Sequence, residues 1–431
     1  MNRILIVGGG VAGLNAAVNA KRKDPSSKII IISKEPYNAY RRPAIPSLIS
    51  GEITDWNEAN IFPLKLLNNL GIEYFSGVEA KSIDVKNNTV VVAKVDTNEN
   101  GKIEYDNLIL SMGGIPSMPK ISGLDKKGIC TFTTYDSACE ILKYSKDSKS
   151  AVVVGAGFIG LEIAEALLKR GLKVYFNVRS RILRRLLEPD MSDYLIKRFT
   201  EKGLIMLVGE SISDIGGNSR VSNIKYKNDI IETDMVIFGM GVNPSVDIVK
   251  NSGIELGETG AIKVNNKMQT NIPNIFAVGD CAESLDLTTG EFVYYPVGSI
   301  AALGGEIAGI NAAGGNIETK GFVRAQADKI FGEEIISIGH SSVSAKEVNL
   351  NVKVVDISEE SKKFDIGRKY PALIKVVLTE DDTIVGAQVI TKKYGSVYSY
   401  GLFNAMLNKE KFSNFIDKWR ISLNNLENLT L

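Results

Sequence analysis

A motif that occurs twice constrains this chain more than any other feature. Ile4-Leu5-Ile6-Val7 runs into Gly8-Gly9-Gly10-Val11-Ala12-Gly13, and Ala151-Val152-Val153-Val154 runs into Gly155-Ala156-Gly157-Phe158-Ile159-Gly160. Each copy reads as a β-rich apolar strand, a G-x-G-x-x-G turn and a helix. The first helix stops at Lys23-Asp24-Pro25, and the second runs to Arg170 with Gly171 as its C-terminal cap. Gly8 and Gly155 serve the tight turn, Gly10 and Gly157 let backbone approach a pyrophosphate, and Gly13 and Gly160 let helix and strand pack closely. The helix N-terminus then offers its unpaired N–H groups to the phosphates. A second repeat follows: Leu108-Ile109-Leu110-Ser111-Met112-Gly113-Gly114-Ile115-Pro116-Ser117 returns as Val236-Ile237-Phe238-Gly239-Met240-Gly241-Val242-Asn243-Pro244-Ser245. From Gly8 to Met112 is 104 positions and from Gly155 to Met240 is 85, so the first copy carries 19 more residues. Much of that surplus is expected after Glu35, in residues 36–62.

Composition narrows the class. A chain of 431 residues suggests two or three domains at about 150 residues each. Its 51 Lys and Arg against 50 Asp and Glu leave a net charge of +1, so no global field draws it to nucleic acid or an anionic membrane. Three cysteines, Cys130, Cys139 and Cys281, have no CxxC spacing, which argues against a disulfide framework, a thiolate zinc site or a local dithiol pair. The single histidine, His340, nearly removes imidazole metal sites and a Ser/His/Asp triad, and no metal is expected. The strand at the N-terminus leaves no room for a signal peptide, so a cytoplasmic location is expected. The most apolar later stretch, residues 293–315, is rich in Gly and Ala and interrupted by Glu306, a pattern for a tightly packed helix and not a membrane span.

Two such units imply two dinucleotides. Glu35 lies 22 residues after Gly13, at the end of the second apolar run, where a carboxylate accepts hydrogen bonds from a ribose diol. At the corresponding place in the second unit the chain reads Val178-Arg179-Ser180-Arg181, followed by Arg184 and Arg185, with no carboxylate. A carboxylate repels a 2′-phosphate and an arginine cluster attracts one. Arg179 and Arg181 therefore favour NADPH, with NADH as the alternative if these arginines form only a solvated surface.

In this order the motifs resemble the pyridine nucleotide-disulfide oxidoreductase superfamily, over roughly residues 1–390. The resemblance implies one FAD and one NAD(P) unit, an α/β fold with two Rossmann-like dinucleotide-binding domains of the glutathione reductase type, and a C-terminal α+β dimerisation domain. Asn274-Ile275-Phe276-Ala277-Val278-Gly279-Asp280 is similar to the family's second FAD signature, in which Gly279 and Asp280 would meet the flavin's ribityl chain. The FAD domain is then discontinuous: residues 1–117 and 246–321 would form it, residues 118–245 the NAD(P) domain and residues 322–431 the dimerisation domain. The helix opened by Tyr295-Pro296-Val297-Gly298-Ser299 would direct its positive end at the flavin. Gly113, Gly241 and Val297 are assigned to cofactor binding on the same resemblance. By the tail's own pattern, residues 372–378 and 383–390 flank Thr379-Glu380-Asp381-Asp382 as a hairpin, and helical spacing follows Tyr394.

The tail is similar to the coenzyme A-disulfide reductase and NADH oxidase branch, which carries one redox cysteine shortly after the first acidic residue. Here that stretch reads Tyr40-Arg41-Arg42-Pro43-Ala44-Ile45-Pro46-Ser47, with Pro43 in the place of the thiol. Cys281 reads as a small buried filler beside a tight turn, and His340 as structural. The stretch also resembles ferredoxin and rubredoxin reductases, although Ser47 stands where those carry a lysine. Glu162 would approach the flavin and nicotinamide and Phe158 would gate the flavin, against a surface role for one and a core role for the other. Arg42 is a candidate for flavin phosphates or an anionic substrate.

The expected function is FAD-dependent NAD(P)H oxidoreduction without an active-site disulfide, onto dioxygen, a quinone or a ferredoxin-like protein. Coenzyme A-disulfide or polysulfide reduction is the alternative, and a non-catalytic flavin-binding dimeric scaffold is the alternative of another class. Expected partners are a small-molecule or small redox-protein acceptor and a second copy of the chain, with no nucleic acid and no membrane span.

Overall fold

Continuous β-branched runs such as Ile4 to Val7 bury side chains on both faces, as central parallel strands flanked by helices require. The computed structural model describes residues 1–37, 39–56, 64–363 and 368–426, and it places Ile4, Leu5, Ile6 and Val7 in the core as part of strand Arg3–Val7. Residues 57–62 of the expected insertion lie outside the described residues. Two compact units result. Met1–Ala44, Asp55–Ile115 and Val242–Phe322 form the first; Ile45–Thr54, Pro116–Gly241 and Val323–Leu431 form the second.

The first unit is built on a parallel sheet in the order Ile275–Ala277, Asn107–Leu110, Arg3–Val7, Lys28–Ser33, Ile72–Ser76. Its edge strand arrives from residue 275, after the chain has left at residue 115 and returned at residue 242. Helix Val11–Lys23 packs on helix Gly298–Ala312. The contact is close because a Cβ on Gly305 would overlap the Ala12 carbonyl oxygen, and one on Gly309 the Ala16 carbonyl oxygen. That contact explains why residues 293–315 are so rich in small side chains. Among the described residues no helix is long and apolar enough to cross a membrane.

Beside a three-stranded antiparallel sheet of Asp214–Gly216, Asn223–Tyr226 and Asp229–Glu232, the second unit holds two five-stranded sheets. One is parallel, in the order Ile205–Val208, Lys173–Val178, Ser150–Val154, Met235–Phe238, Ile129–Thr131. The other is antiparallel, in the order Ala325–Ile330, Glu333–Gly339, Ile384–Thr391, Leu373–Thr379, Val352–Asp356. The expected hairpin is its Leu373–Thr379 and Ile384–Thr391 pair, and helix Gly395–Leu407 follows Tyr394. A buried carboxylate ties the two parts of this unit together. Glu188 accepts from the Ser342 N–H (2.8 Å), the Ser342 hydroxyl (2.6 Å) and the Gln388 amide (3.1 Å), while its own N–H donates to the Gln388 carbonyl oxygen (2.6 Å). Such a carboxylate is stable in the interior because its lone pairs are occupied. His340 is buried and its backbone N–H donates to the Val385 carbonyl (3.0 Å), a structural position at the end of strand Glu333–Gly339.

Candidate active site: two dinucleotide cradles

The first cradle follows strand Arg3–Val7. Gly8 sits at φ +115°, and a Cβ there would overlap the Ser111 carbonyl oxygen; a Cβ on Gly13 would overlap the carbonyl oxygen of Gly8. Gly10 has nothing within 4 Å of where its Cβ would lie, so backbone is open to a ligand at that point. The second cradle repeats the arrangement. Gly155 has φ +153° and faces the Gly239 carbonyl, a Cβ on Gly160 would lie only 3.3 Å from both the Gly155 carbonyl oxygen and the Phe176 ring, and Gly157 faces open space. Outer glycines make the turn and the packing while the middle one leaves room, which is the geometry a pyrophosphate needs. The other repeat closes each unit in the same way: the Gly113 carbonyl accepts from the Ser245 N–H (3.0 Å) in one, and the Gly241 carbonyl from the Ser117 N–H (2.9 Å) in the other.

The first unit gathers several expected site residues. Glu35 accepts hydrogen bonds from the Tyr40 hydroxyl and from Arg42 (3.1 Å), so its carboxylate is held in place beyond the second strand. The positive charge of Arg42 also acts on Asp280, which lies in the single turn Gly279–Cys281. Burial raises the Asp280 carboxyl above the ordinary aspartate range, and among the described residues no hydrogen bond reaches it. Beside it electrostatically is Tyr294, whose hydroxyl is buried without a partner and whose ionisation burial makes harder. Buried polar groups in folded proteins are almost always paired. Two unpaired ones beside a glycine cradle fit a long hydroxylated ligand such as the ribityl chain of FAD. Val297 caps helix Gly298–Ala312. Tyr294 escaped the sequence reading, where only its place four residues before that helix could have suggested it.

Comparison with known proteins gives the family. The profile of the pyridine nucleotide-disulphide oxidoreductase family matches residues 2–292. The chain belongs to this family. Among its relatives, a NADH oxidase of Methanocaldococcus jannaschii is 33% identical over 396 residues, covering 90% of this chain and 87% of the relative. A coenzyme A disulfide reductase of Staphylococcus aureus is 30% identical, covering 83% and 81%. The crystal structure of reduced CoADR-RHD of Bacillus anthracis matches with a TM-score of 0.89 at 25% identity, over 95% of this chain and 74% of that one. The protein is thus an enzyme of the FAD-dependent NAD(P)H oxidoreductases, with the expected mixed α/β fold.

In this oxidoreductase the stretch that would hold a redox cysteine forms a single turn, Arg42–Ala44, leading into helix Ile45–Ser50, with Pro43 in the turn. The buried thiols are poor nucleophiles. Cys281 donates to the carbonyls of Val278 (3.3 Å) and Leu110 (3.5 Å), and burial pushes it up to about 11; burial pushes Cys130 up to about 12. A thiolate is the reactive form, so at neutral pH both are inert. Cys139 is exposed on helix Tyr135–Ser145.

The arginines after the second unit's second strand are not equivalent. The Arg181 guanidinium turns back on the carbonyls of Arg184 (3.2 Å) and Leu187 (3.3 Å). Arg184 and Arg185 both reach Glu347, at 3.6 and 2.9 Å. Arg179 is exposed directly after strand Lys173–Val178. In helix Phe158–Lys169, which leaves the second cradle, Phe158 holds the first position and Glu162 follows one turn later, both half-buried.

Proposed function

We propose that this enzyme carries hydride from NADPH through FAD to an acceptor that needs no protein thiol: dioxygen, a quinone or a small iron-sulfur protein. The observation that carries the reading is a pair of complete glycine cradles in a chain whose cysteine position is Pro43. FAD, when bound, supplies the two-electron relay between nicotinamide and acceptor. The chain's own residues orient and stabilise. In the first cradle Glu35, held by Tyr40 and Arg42, would grip the adenosine ribose, and Asp280 and Tyr294 would take the ribityl hydroxyls. The 15-residue helix Gly298–Ala312, capped by Val297, would set its positive end against negative charge. In the second cradle Phe158 and Glu162 would contact the nicotinamide. Arg179 would receive a 2′-phosphate; Arg181, whose Nη2 serves two carbonyls of its own loop, is the weaker donor. Residues 322–431 would mediate a homodimer, which light scattering of the purified protein tests.

Coenzyme A-disulfide or sulfur reduction is the second reading, favoured by relatives named NAD(P)H sulfur oxidoreductase (CoA-dependent) and coenzyme A disulfide reductase. It requires a reactive thiol, and Cys139 is the exposed one among the three. Anaerobic reduction by NADPH and by NADH, then reoxidation with dioxygen, coenzyme A disulfide or ferredoxin, separates the readings. The first expects flavin bleaching and reoxidation that survive thiol alkylation. Turnover with coenzyme A disulfide alone, abolished by alkylation, would establish the second.

A further inference from the structure

The first turn contains a glycine that its backbone does not demand. Gly8 lies at φ +115°, but Gly9 is outside the positive-φ region, so an alanine there would meet no left-handed strain. Space is what excludes one. A Cβ on Gly9 would overlap the Tyr74 hydroxyl oxygen and come within 2.9 Å of two ring carbons, Cε2 and Cζ. Tyr74 belongs to strand Ile72–Ser76, pairs with Ile31 and packs against the core of the first unit. Its hydroxyl donates to the carbonyl of Tyr37 (3.5 Å), two residues beyond Glu35. One ring therefore touches both the turn and the segment that begins at the ribose carboxylate.

The second unit fills the same position differently. Ile6 and Val153 each stand two residues before the first glycine of their turns; Ile6 aligns through Ile31 with Tyr74, and Val153 through Phe176 with Met206. Met206 has neither a stiff ring nor a hydroxyl, and the turn residue corresponding to Gly9 is Ala156. There a backbone bond holds the turn, the Leu183 N–H donating to the Ala156 carbonyl (2.6 Å). Gly9 with Tyr74 and Ala156 with Met206 are thus two matched pairs.

We propose that Tyr74 is a positioning residue for the flavin nucleotide: its ring fills the place of the side chain that residue 9 lacks, and its hydroxyl ties the pyrophosphate turn to the segment carrying Glu35. The inference rests on the reading that the first cradle holds FAD. A dinucleotide lies across both sites, its pyrophosphate at the turn and its adenosine ribose at the strand tip, so a fixed separation spares binding the cost of ordering them. Tyrosine suits this task because a stiff ring with few rotatable bonds, packed in the core, gives up its freedom on folding and not on binding.

Flavin release from the holoenzyme, read as recovery of free-flavin fluorescence after dilution, tests the brace. Gly9→Ala should release FAD ~10–100-fold faster than the wild type, because the new methyl group displaces the Tyr74 ring. Adding Tyr74→Met, which copies the pair of the second unit, should bring release back to within about threefold of Tyr74→Met alone. A role confined to fold stability would instead lower the urea midpoint in every variant without that rescue. Tyr74→Phe keeps the ring and loses only the hydroxyl; it should release FAD ~2–10-fold faster, and it carries the test if Gly9→Ala does not fold. Failure of Tyr74→Met to rescue Gly9→Ala, or unchanged release from Tyr74→Phe, overturns the proposal. A Gly9→Ala protein that keeps its flavin but needs far more NADPH for half-maximal bleaching refutes the underlying reading instead, since the first cradle would then hold the nicotinamide nucleotide.

Discussion

The two cradles are built alike and finished differently. In both, a buried parallel strand delivers a glycine with positive φ, a middle glycine facing open space and a third that lets the helix close on the strand. At the tip of the second strand they diverge. The first ends in a carboxylate clamped by a tyrosine and an arginine, the second in an exposed arginine whose sequence neighbours are occupied by backbone carbonyls and Glu347. The turn recognises what dinucleotides have in common, two phosphates, and the strand tip addresses the ribose that distinguishes them. Identical scaffolds can therefore hold different cofactors with a handful of side chains.

The comparison breaks most visibly if one turn is spoiled at a time. Gly8→Val places a branched side chain at φ +115° against the Ser111 carbonyl and should yield colourless protein. Gly155→Val should stay yellow yet lose NADPH bleaching by ~100-fold or more, because only the second pyrophosphate site is blocked. Absorbance of the purified proteins and stopped-flow bleaching decide the matter, and loss of flavin from both variants would mean that the cradles are not independent.

Glu162 supplies the next effect, through pH. Its folded-state value is raised from an ordinary 4.5 to about 9, so the stability contributed by the neutral carboxyl is complete below about pH 4.5 and is lost as pH rises through 9. Glu162→Gln should accordingly gain about 4 kcal/mol on the wild type between pH 5 and pH 8, measured by urea unfolding at each pH. A gain independent of pH would remove the titrating carboxyl from the second cradle.

Arg179→Glu sharpens the ribose assignment. It should lower kcat/KM for NADPH by ~10–100-fold, about 1.4–2.8 kcal/mol, and change NADH little; equal losses would show that the strand tip does not face a 2′-phosphate. The smallest effect is expected of Arg185→Ala. Its partner is Glu347, an exposed pair of the kind worth ~0–1 kcal/mol, so NADPH kinetics should be unchanged and the melting temperature nearly so.

Much of this was legible in advance because it is local. The strand, glycine and helix order, the cap at Gly171, the hairpin around residues 379–382 and the glycine-rich helix all follow from neighbours in sequence, where conformational preference and period speak directly. Arg184 and Arg185 were less legible. In sequence they extend a basic cluster, and only a fold that returns residue 347 to them supplies the carboxylate that engages them. Arg181 is a different failure, since its partners are main-chain carbonyls three and six residues away and no side-chain pattern announces such a bond. Tyr294 was silent for a third reason: an unpaired buried hydroxyl is a property of its surroundings, not of the residue type.

By itself the sequence determined the family, the two glycine turns and the proline, Pro43, where the resemblance expects a thiol. Each of these depends on residue identities at fixed local spacing, and Pro43 excludes a thiol whatever surrounds it. Tertiary structure decided which charges are available. Electrostatic partners come from distant parts of the chain, so Arg185 with Glu347 and Arg198 with Glu333 could be matched only once folding had set their separations.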